Sequence, residues 1–470
     1  MAHNTVLLLC ALVSVLGLVV LIARFKLNAF VALVLASIFV GVCSALTLPR
    51  PEAWPHLQGI GRAFGEGVGN VLASVAMVVG LGTILGKLLA ESGGAEVVAR
   101  WLIGRLGKER MPWAMVLIAF LVGIPVWFTV GLVLLVPLLF TLVKESGKPM
   151  LLLGIPLLAG LSAAHSLVPP HPGPLAAIGV LHADAGRTIL YSLIIGFPTA
   201  VVGGPLFAKF ITRYVVVAPG ELAVQLSEKS ERKRLPGLGM TMFTILLPVG
   251  LMMAASAADL VGSGQTPAWF PWLYWMIGRN PVRAWLDLIG HPTVAMLIAV
   301  LLALYSFGAA LGFRKETLLK FTNDCLAPVA MVLLVVGGGG GFSKTLEYCG
   351  VGRAITASLG GAQFSPLVLG WLIACLLRLA TGSATVSITT AAGIMAPVVT
   401  GLPGVNLELL VIAMGAGSGI FSHLNDGGFW FVKEYFNMTV PQTLKTWTVL
   451  TTIKSVTALL LALTLNALLK

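Results

Sequence analysis

Charge is the scarcest commodity in this sequence. Only 10% of its 470 residues are Asp, Glu, Lys or Arg, and acids are the rarer sign, 18 against 30 bases. Soluble domains carry roughly a quarter charged residues, so a water-soluble globule is excluded. No polar domain interrupts the chain; the longest polar stretch is 214–238, containing SEKSERKRLPG. Cysteine is sparse too. Cys10, Cys43, Cys325, Cys349 and Cys375 are scattered without a CxxC pair, which argues against a disulfide framework and against a zinc site. There is no HExxH motif, and the six-residue spacing of His165 and His171 puts them on different helix faces. The run Gly337–Gly341 lacks a following Lys-Ser/Thr in phosphate-loop spacing and a preceding strand. Close packing of membrane helix backbones is its simpler reading. No resident metal or cofactor is expected.

What the sequence has in excess is apolar length. Hydrophobic residues make up 57% and the mean hydropathy is +0.97. Runs without charge recur at Val6–Ala23, Ala29–Leu48, Val71–Gly86 and Pro292–Gly312, and Thr446–Leu469 is broken only by Lys454. About 20 apolar residues span the ~30 Å hydrocarbon layer as a helix. The chain is therefore expected to be an all-α, polytopic membrane protein. Val6–Ala23 lacks a basic leader and an AxA-type site, so it reads as a retained first helix. The formal charge of +12 is explained by basic cytoplasmic loops, without nucleic acid.

Two segments compare with each other. VVGLGTILGKLLAESGGAEVV (78–98) aligns without a gap on VVGGGGGFSKTLEYCGVGRAI (335–355), and LAGLSAAHSLVPPH (158–171) can be laid on AGSGIFSHLNDGGF (416–429), pairing His165 with His423. The near-constant offset indicates an internal repeat, a mark of secondary transporters. Between the paired blocks lie residues 112–143, broken by GIPVWFTVG, and 365–400, broken by RLATGSATVS. Each is too long for one span and too short for two, which fits re-entrant hairpins. With both hairpins kept from crossing, 20 of the 30 Lys and Arg fall on one side and eight on the other. The halves then run in opposite senses, as inverted repeats. The WFPWLYW cluster at 269–275 becomes an outer aromatic belt. The expected division is 1–70, N-terminal scaffold helices; 71–213, first repeat, with the hairpin 112–143 and a broken helix 150–180; 214–239, cytoplasmic linker; 240–325, scaffold helices and an outer loop; and 326–470, second repeat, with the hairpin 365–400, a broken helix 407–430 and the last helix.

The broken helices are read from AAHSLVPPHPGPLAAI (163–178), where four prolines stop a helix that resumes near Leu175, and from FSHLNDGGFW (421–430), unwound by glycines. Half-helix N-termini attract anions. Intramembrane ionisable groups are functional candidates by default. His165 and His171 fit substrate or proton handling, or the tying of loose backbone. Asp426 with His423 fits a proton-carrying pair. Thr381, Ser383, Thr385 and Ser387 supply hydroxyls at a hairpin tip, and Ser422 and Asn425 suit either packing or binding. Arg378 can meet a substrate carboxylate bidentately or hold a neighbouring carbonyl.

The stretches RFKLNAFVALVLAS, GKLLAESGGAE, HSLVPPHPGP, GGGGGF, GSATVSITTAAGI and SHLNDGGFWFVKEYFN, spread over the whole chain, resemble the gluconate permease (gluconate:proton symporter) family. The resemblance implies uptake of sugar acids across a bacterial inner membrane by proton symport, a fold of two inverted repeats, elevator-type motion and a homodimer. It also marks a departure: Thr129 stands where the family usually has an acid, and Gly427 where proline is common. The expected binding set is Thr129, His165, Ser166, Pro170, His171, Thr381, Gly382, Ser383, Thr385, Ser422 and Asn425, with Asp426 and His423 coupling the ion. Expected partners are a small organic anion, a proton and the lipid bilayer. Glycerate, serine or sodium coupling is the nearest alternative; an intramembrane metal-dependent enzyme and a channel are the more distant ones.

Overall fold

The computed structural model describes residues 2–217, 234–262, 280–326, 329–351, 354, 365–400, 402, 404–424 and 426–469. The centre of the basic loop, the 269–275 aromatic cluster and Asn425 lie outside the described residues. Among those described there are helices and no strand. The opening helices are α1 (Ala2–Ala23), α2 (Ala29–Leu46), α3 (Arg50–Ser92) and α4 (Gly94–Leu106). Eighteen residues without a charge make α2, and the Asn28 side chain caps it by accepting from the Phe30 N–H. Its 43 residues would make α3 ~64 Å long if straight. It bends by 40° between Ala73 and Ala76, and the boundary expected at residue 70 falls inside it. Gly93, in the left-handed region at φ 78°, ends α3 and lets α4 start at once.

A hairpin follows: α5 (Met111–Gly123) and α6 (Phe128–Ser146). Next come α7 (Met150–Leu167) and α8 (Pro172–Leu181), separated by four non-helical residues. The restart comes three residues earlier than the sequence suggested. Pro172 and Pro174 sit in the first turn of α8, where a missing N–H leaves nothing unpaired. Helix α9 runs over Ala185–Ile211, then α10 (Leu238–Gly262), α11 (Asn280–Gly290), α12 (Pro292–Leu311), α13 (Lys315–Asp324) and α14 (Val329–Tyr348). A second hairpin is formed by α15 (Pro366–Thr381) and α16 (Ala384–Val399), turning at Gly382 with φ 70°. A second interrupted helix is formed by α17 (Leu407–Ser418) and α18 (Gly427–Tyr435). Here the glycines do not unwind the chain as expected. Gly427 and Gly428 begin α18, and Gly419–Asp426 is the break. The last helix, α19, is Val440–Leu468.

Among the described residues, eight helical segments are long and apolar enough to cross a bilayer, and the bent α3 makes a ninth. The order hairpin, interrupted helix, long helix occurs twice. At 13 residues α5 measures ~20 Å, short of the hydrocarbon thickness. The apolar window of Met150–Leu181 is 89% buried, against 24% for Thr5–Ile22, so α7 and α8 are central and α1 peripheral. Around this centre α7 packs on α5, α6 and α9, α17 packs on α15 and α16, and α19 touches both α7 and α17. The glycine run lies within α14, which packs on α3 and α16. A Cβ at Gly340 would stand 2.6 Å from the Gly67 carbonyl oxygen, so two backbones touch there as only glycine permits.

Candidate functional site

Both hairpin tips, the second helix break and the last turns of α7 before the first break border one cavity of about 300 Å³. The first hairpin contributes Trp127, Phe128 and Thr129, and α7 contributes Ser162, His165 and Ser166. The second hairpin gives Arg378 and Gly382–Thr385, the second break gives Gly419 and Asp426–Gly428, and α19 gives Trp447, Thr451 and Lys454.

Three side chains that carry a formal charge line it. The Arg378 guanidinium donates to the Asp426 carboxylate and to the Gly382 carbonyl, crossing from the hairpin to the interrupted helix. Asp426 also accepts from the Ser422 hydroxyl, and its Oδ1 accepts from the Gly428 N–H at 2.8 Å, capping α18. Lys454, 1% exposed, donates to Ser162 O at 3.0 Å, Ser162 Oγ at 2.7 Å and Ser166 Oγ at 2.9 Å. Two cations and one acid leave a formal charge of +1. The buried Nδ1 of His165 and Nε of Arg378 have no hydrogen-bond partner among the described residues.

The backbone adds to this polarity. The first-turn residues Phe128 and Thr129 of α6, Ala384 and Thr385 of α16, and Gly427 and Gly428 of α18 all border the cavity. Helix N-termini carry partial positive charge. The N-cap residue of α6, Trp127, makes no capping bond with its side chain. The N–H groups there are free to meet an anion.

Of the residues expected from the sequence, Thr129, His165, Ser166, Gly382, Ser383, Thr385 and Asp426 border the cavity. The others described do not. The His171 Nε2 lies 2.6 Å from the Gly123 carbonyl, fastening the first break to the first hairpin, and its ring packs edge-on against His165 at 4.8 Å. Pro170 is buried behind it. Thr381 Oγ1 donates to Leu377 O at 2.8 Å and accepts from the Ser383 N–H at 3.3 Å, holding the hairpin tip. Ser422 is enclosed by Asp426, the Trp447 indole N–H at 2.7 Å and the Thr451 hydroxyl at 3.1 Å. His423 does not pair with Asp426. Its Nε2 meets Leu379 O at 3.2 Å, and only its carbonyl meets Asp426, accepting from the Asp426 N–H at 2.9 Å in a turn.

Sequence reasoning missed Lys454, Trp447, Ser162 and Thr451. Lys454 was read only as the one charge in the last apolar run, whereas its side chain lies near the middle of α19 and is buried. A single cation in an apolar run of membrane-spanning length was the available signal. It left Arg378 open between substrate and carbonyl; the guanidinium holds a carbonyl and a carboxylate of the protein itself.

A helical membrane protein whose interrupted helices converge on a charged internal cavity is built as a transporter. Its family is equally definite. The chain belongs to the GntP permeases: the GntP family permease model matches residues 6–469. It is 49% identical to the gluconate permease of Pseudomonas aeruginosa over 99% of both chains. It is 38% identical to the Gnt-II system L-idonate transporter of Escherichia coli, over 96% of this chain and 97% of that one, and 35% identical to the D-serine transporter DsdX of the same organism, over 95% of each. Among solved structures, the YdaH transporter of Alcanivorax borkumensis superposes with a TM-score of 0.58 at 20% identity, covering 87% of this chain and 88% of that one. MtrF of Neisseria gonorrhoeae gives 0.64 at 14% identity, covering 94% and 96%. These two share the fold.

Proposed function

We propose that this permease imports a six-carbon sugar acid such as gluconate by proton symport. The observation that carries the reading is the cavity's formal charge of +1, set among hydroxyls from Thr129, Ser162, Ser383, Thr385 and Thr451. One excess positive charge matches one carboxylate, and the hydroxyls suit a polyol chain. A volume of about 300 Å³ suits a small solute, at the lower end for ligand sites. The relatives that transport gluconate and idonate support the same substrate class. A zwitterion such as the D-serine of the more distant relative leaves the excess charge unbalanced, so it ranks second.

The substrate carboxylate meets Lys454 and the uncapped N–H groups at the α6 N-terminus. The coupled proton is handled by Asp426 and His165. His165 takes the part that the sequence gave to His423, because it borders the cavity. In this reading the α5–α6 and α15–α16 pairs are re-entrant hairpins of two inverted repeats in a bacterial inner membrane. The hairpin-bearing part moves as an elevator against a dimeric scaffold.

Uptake of labelled gluconate into proteoliposomes, with and without an inward proton gradient, tests the proposal. Accumulation that rises with the gradient is expected and is lost in Asp426→Asn. Equal accumulation at zero gradient removes symport, and flux that only equilibrates makes the chain a channel.

A further inference from the structure

Lys454 is a buried cation whose needs are met in an unusual way. Its Nζ has three oxygen partners, Ser162 O, Ser162 Oγ and Ser166 Oγ, at 2.7–3.0 Å, and none of them carries a charge. The one acid bordering the cavity among the described residues, Asp426, is engaged by Arg378. The second break closes over the same ammonium: a Cβ at Gly419 would stand 2.7 Å from Nζ and 3.3 Å from Ser166 Cβ. The ammonium therefore sits where the C-terminal turn of α7 meets the chain leaving α17. A tie between α19 and α7 could be made by a neutral donor. A buried ammonium costs several kcal/mol unless something repays it.

Carbonyl and hydroxyl oxygens converging beside a helix break are the kind of ligand set that holds a coupling cation in transporters. We infer that Lys454 stands in for such an ion: its tethered ammonium fills a three-oxygen cradle on α7 and supplies the fixed positive charge that a bound cation would otherwise bring to the anion. This deepens the sugar-acid reading and rests on it for the identity of the anion. It also gives a physical reason for the transporter to work without sodium, since the cradle is already full.

The test uses the full-length protein purified in detergent. Lys454→Ala empties the cradle. Its affinity for labelled gluconate should fall by about tenfold or more, the range of a lost charge-assisted hydrogen bond. Methylammonium or sodium should then raise both its melting temperature and its gluconate affinity, while choline, too large to enter, does neither. The native protein should show no such cation effect. Lys454→Met keeps the stem, removes the charge and leaves no vacancy, so it should lose gluconate without rescue. It decides alone if the alanine variant does not fold. Native gluconate affinity in either variant overturns the inference, and so does an alanine variant blind to small cations. The thermal shift needs no substrate. If the native protein binds no gluconate, the sugar-acid reading falls while the cation effect still decides this one.

Discussion

The Arg378–Asp426 pair is the interaction on which the site's charge turns. Its side chains are 6% and 13% exposed, so the two ions have almost no water to fall back on. Asp426→Asn strands the guanidinium, and Arg378→Gln strands the carboxylate. Breaking a buried pair from one side costs about 3–5 kcal/mol. The double variant leaves two amides that can hydrogen-bond to each other, to Ser422 and to the Gly382 carbonyl. It should therefore melt well above the level given by adding the single losses, with a coupling of about 3 kcal/mol. The formal charge follows the same cycle: +1 in the native cavity, +2 in Asp426→Asn, 0 in Arg378→Gln and +1 again in the double. A unit charge at ~5.5 Å and an effective dielectric constant of about 20 is worth about 3 kcal/mol, or two orders of magnitude in relative affinity as an upper bound. Competition of labelled gluconate binding by glucarate, its dicarboxylate counterpart, reads this out. Asp426→Asn should move the preference toward glucarate by at least tenfold, and the double variant should return it. A preference unchanged within about threefold, or a double variant as unstable as the sum of its parts, would refute the charge-matching argument.

Two further outcomes follow from the packing. His171→Ala leaves the Gly123 carbonyl buried and unpaired, so it should cost about 1–3 kcal/mol in thermal stability. The ring does not border the cavity, so the KM for gluconate uptake should stay within about threefold; a tenfold rise would put His171 in the site. Gly340→Ala sets a methyl 2.5 Å from Val71 Cγ2 and 2.6 Å from a backbone oxygen of α3, and should destabilise by about 1–3 kcal/mol. Gly61→Ala, on α3 with nothing within 4 Å, should instead stabilise by up to about 1 kcal/mol, and melting the two variants side by side checks the sign.

The helical membrane architecture was legible because apolar run length is a one-dimensional property. The interruptions were legible because proline and glycine act locally. Their edges were misplaced by a few residues for the same local reasons. Pro172 reads as a breaker in isolation but is harmless as the first residue of α8. Gly427 reads as an unwinder but starts α18 once Asp426 caps it. The site was only half legible. Residues on the breaks announce themselves through polarity, yet which of them face inward depends on the neighbour each one meets. Thr381 and Ser422 are as polar as Ser383 and Thr385, but Leu377 and Trp447 claim them. Lys454 belongs to no break at all. Its role depends on α19 passing α7, a contact between residues 292 apart for which a single sequence carries no signal.

The two halves share an order of elements but not a chemistry. Among the described residues, the side chains with a formal charge that border the cavity, Arg378, Asp426 and Lys454, come from the second half, while the first supplies Thr129, Ser162, His165 and Ser166. Duplicated breaks explain why backbone N–H groups approach the cavity from both hairpins, since that geometry needs only a helix start. Charge is a different matter, because two complete sets would crowd like charges into about 300 Å³. One half therefore keeps the ions and the other keeps neutral partners able to bind them, as Ser162 and Ser166 do for Lys454. On this view the threonine at position 129 is no defect. In the proposed reading an acid there would keep the cavity's formal charge at +1 only by taking up a proton, whereas the threonine keeps it there without one.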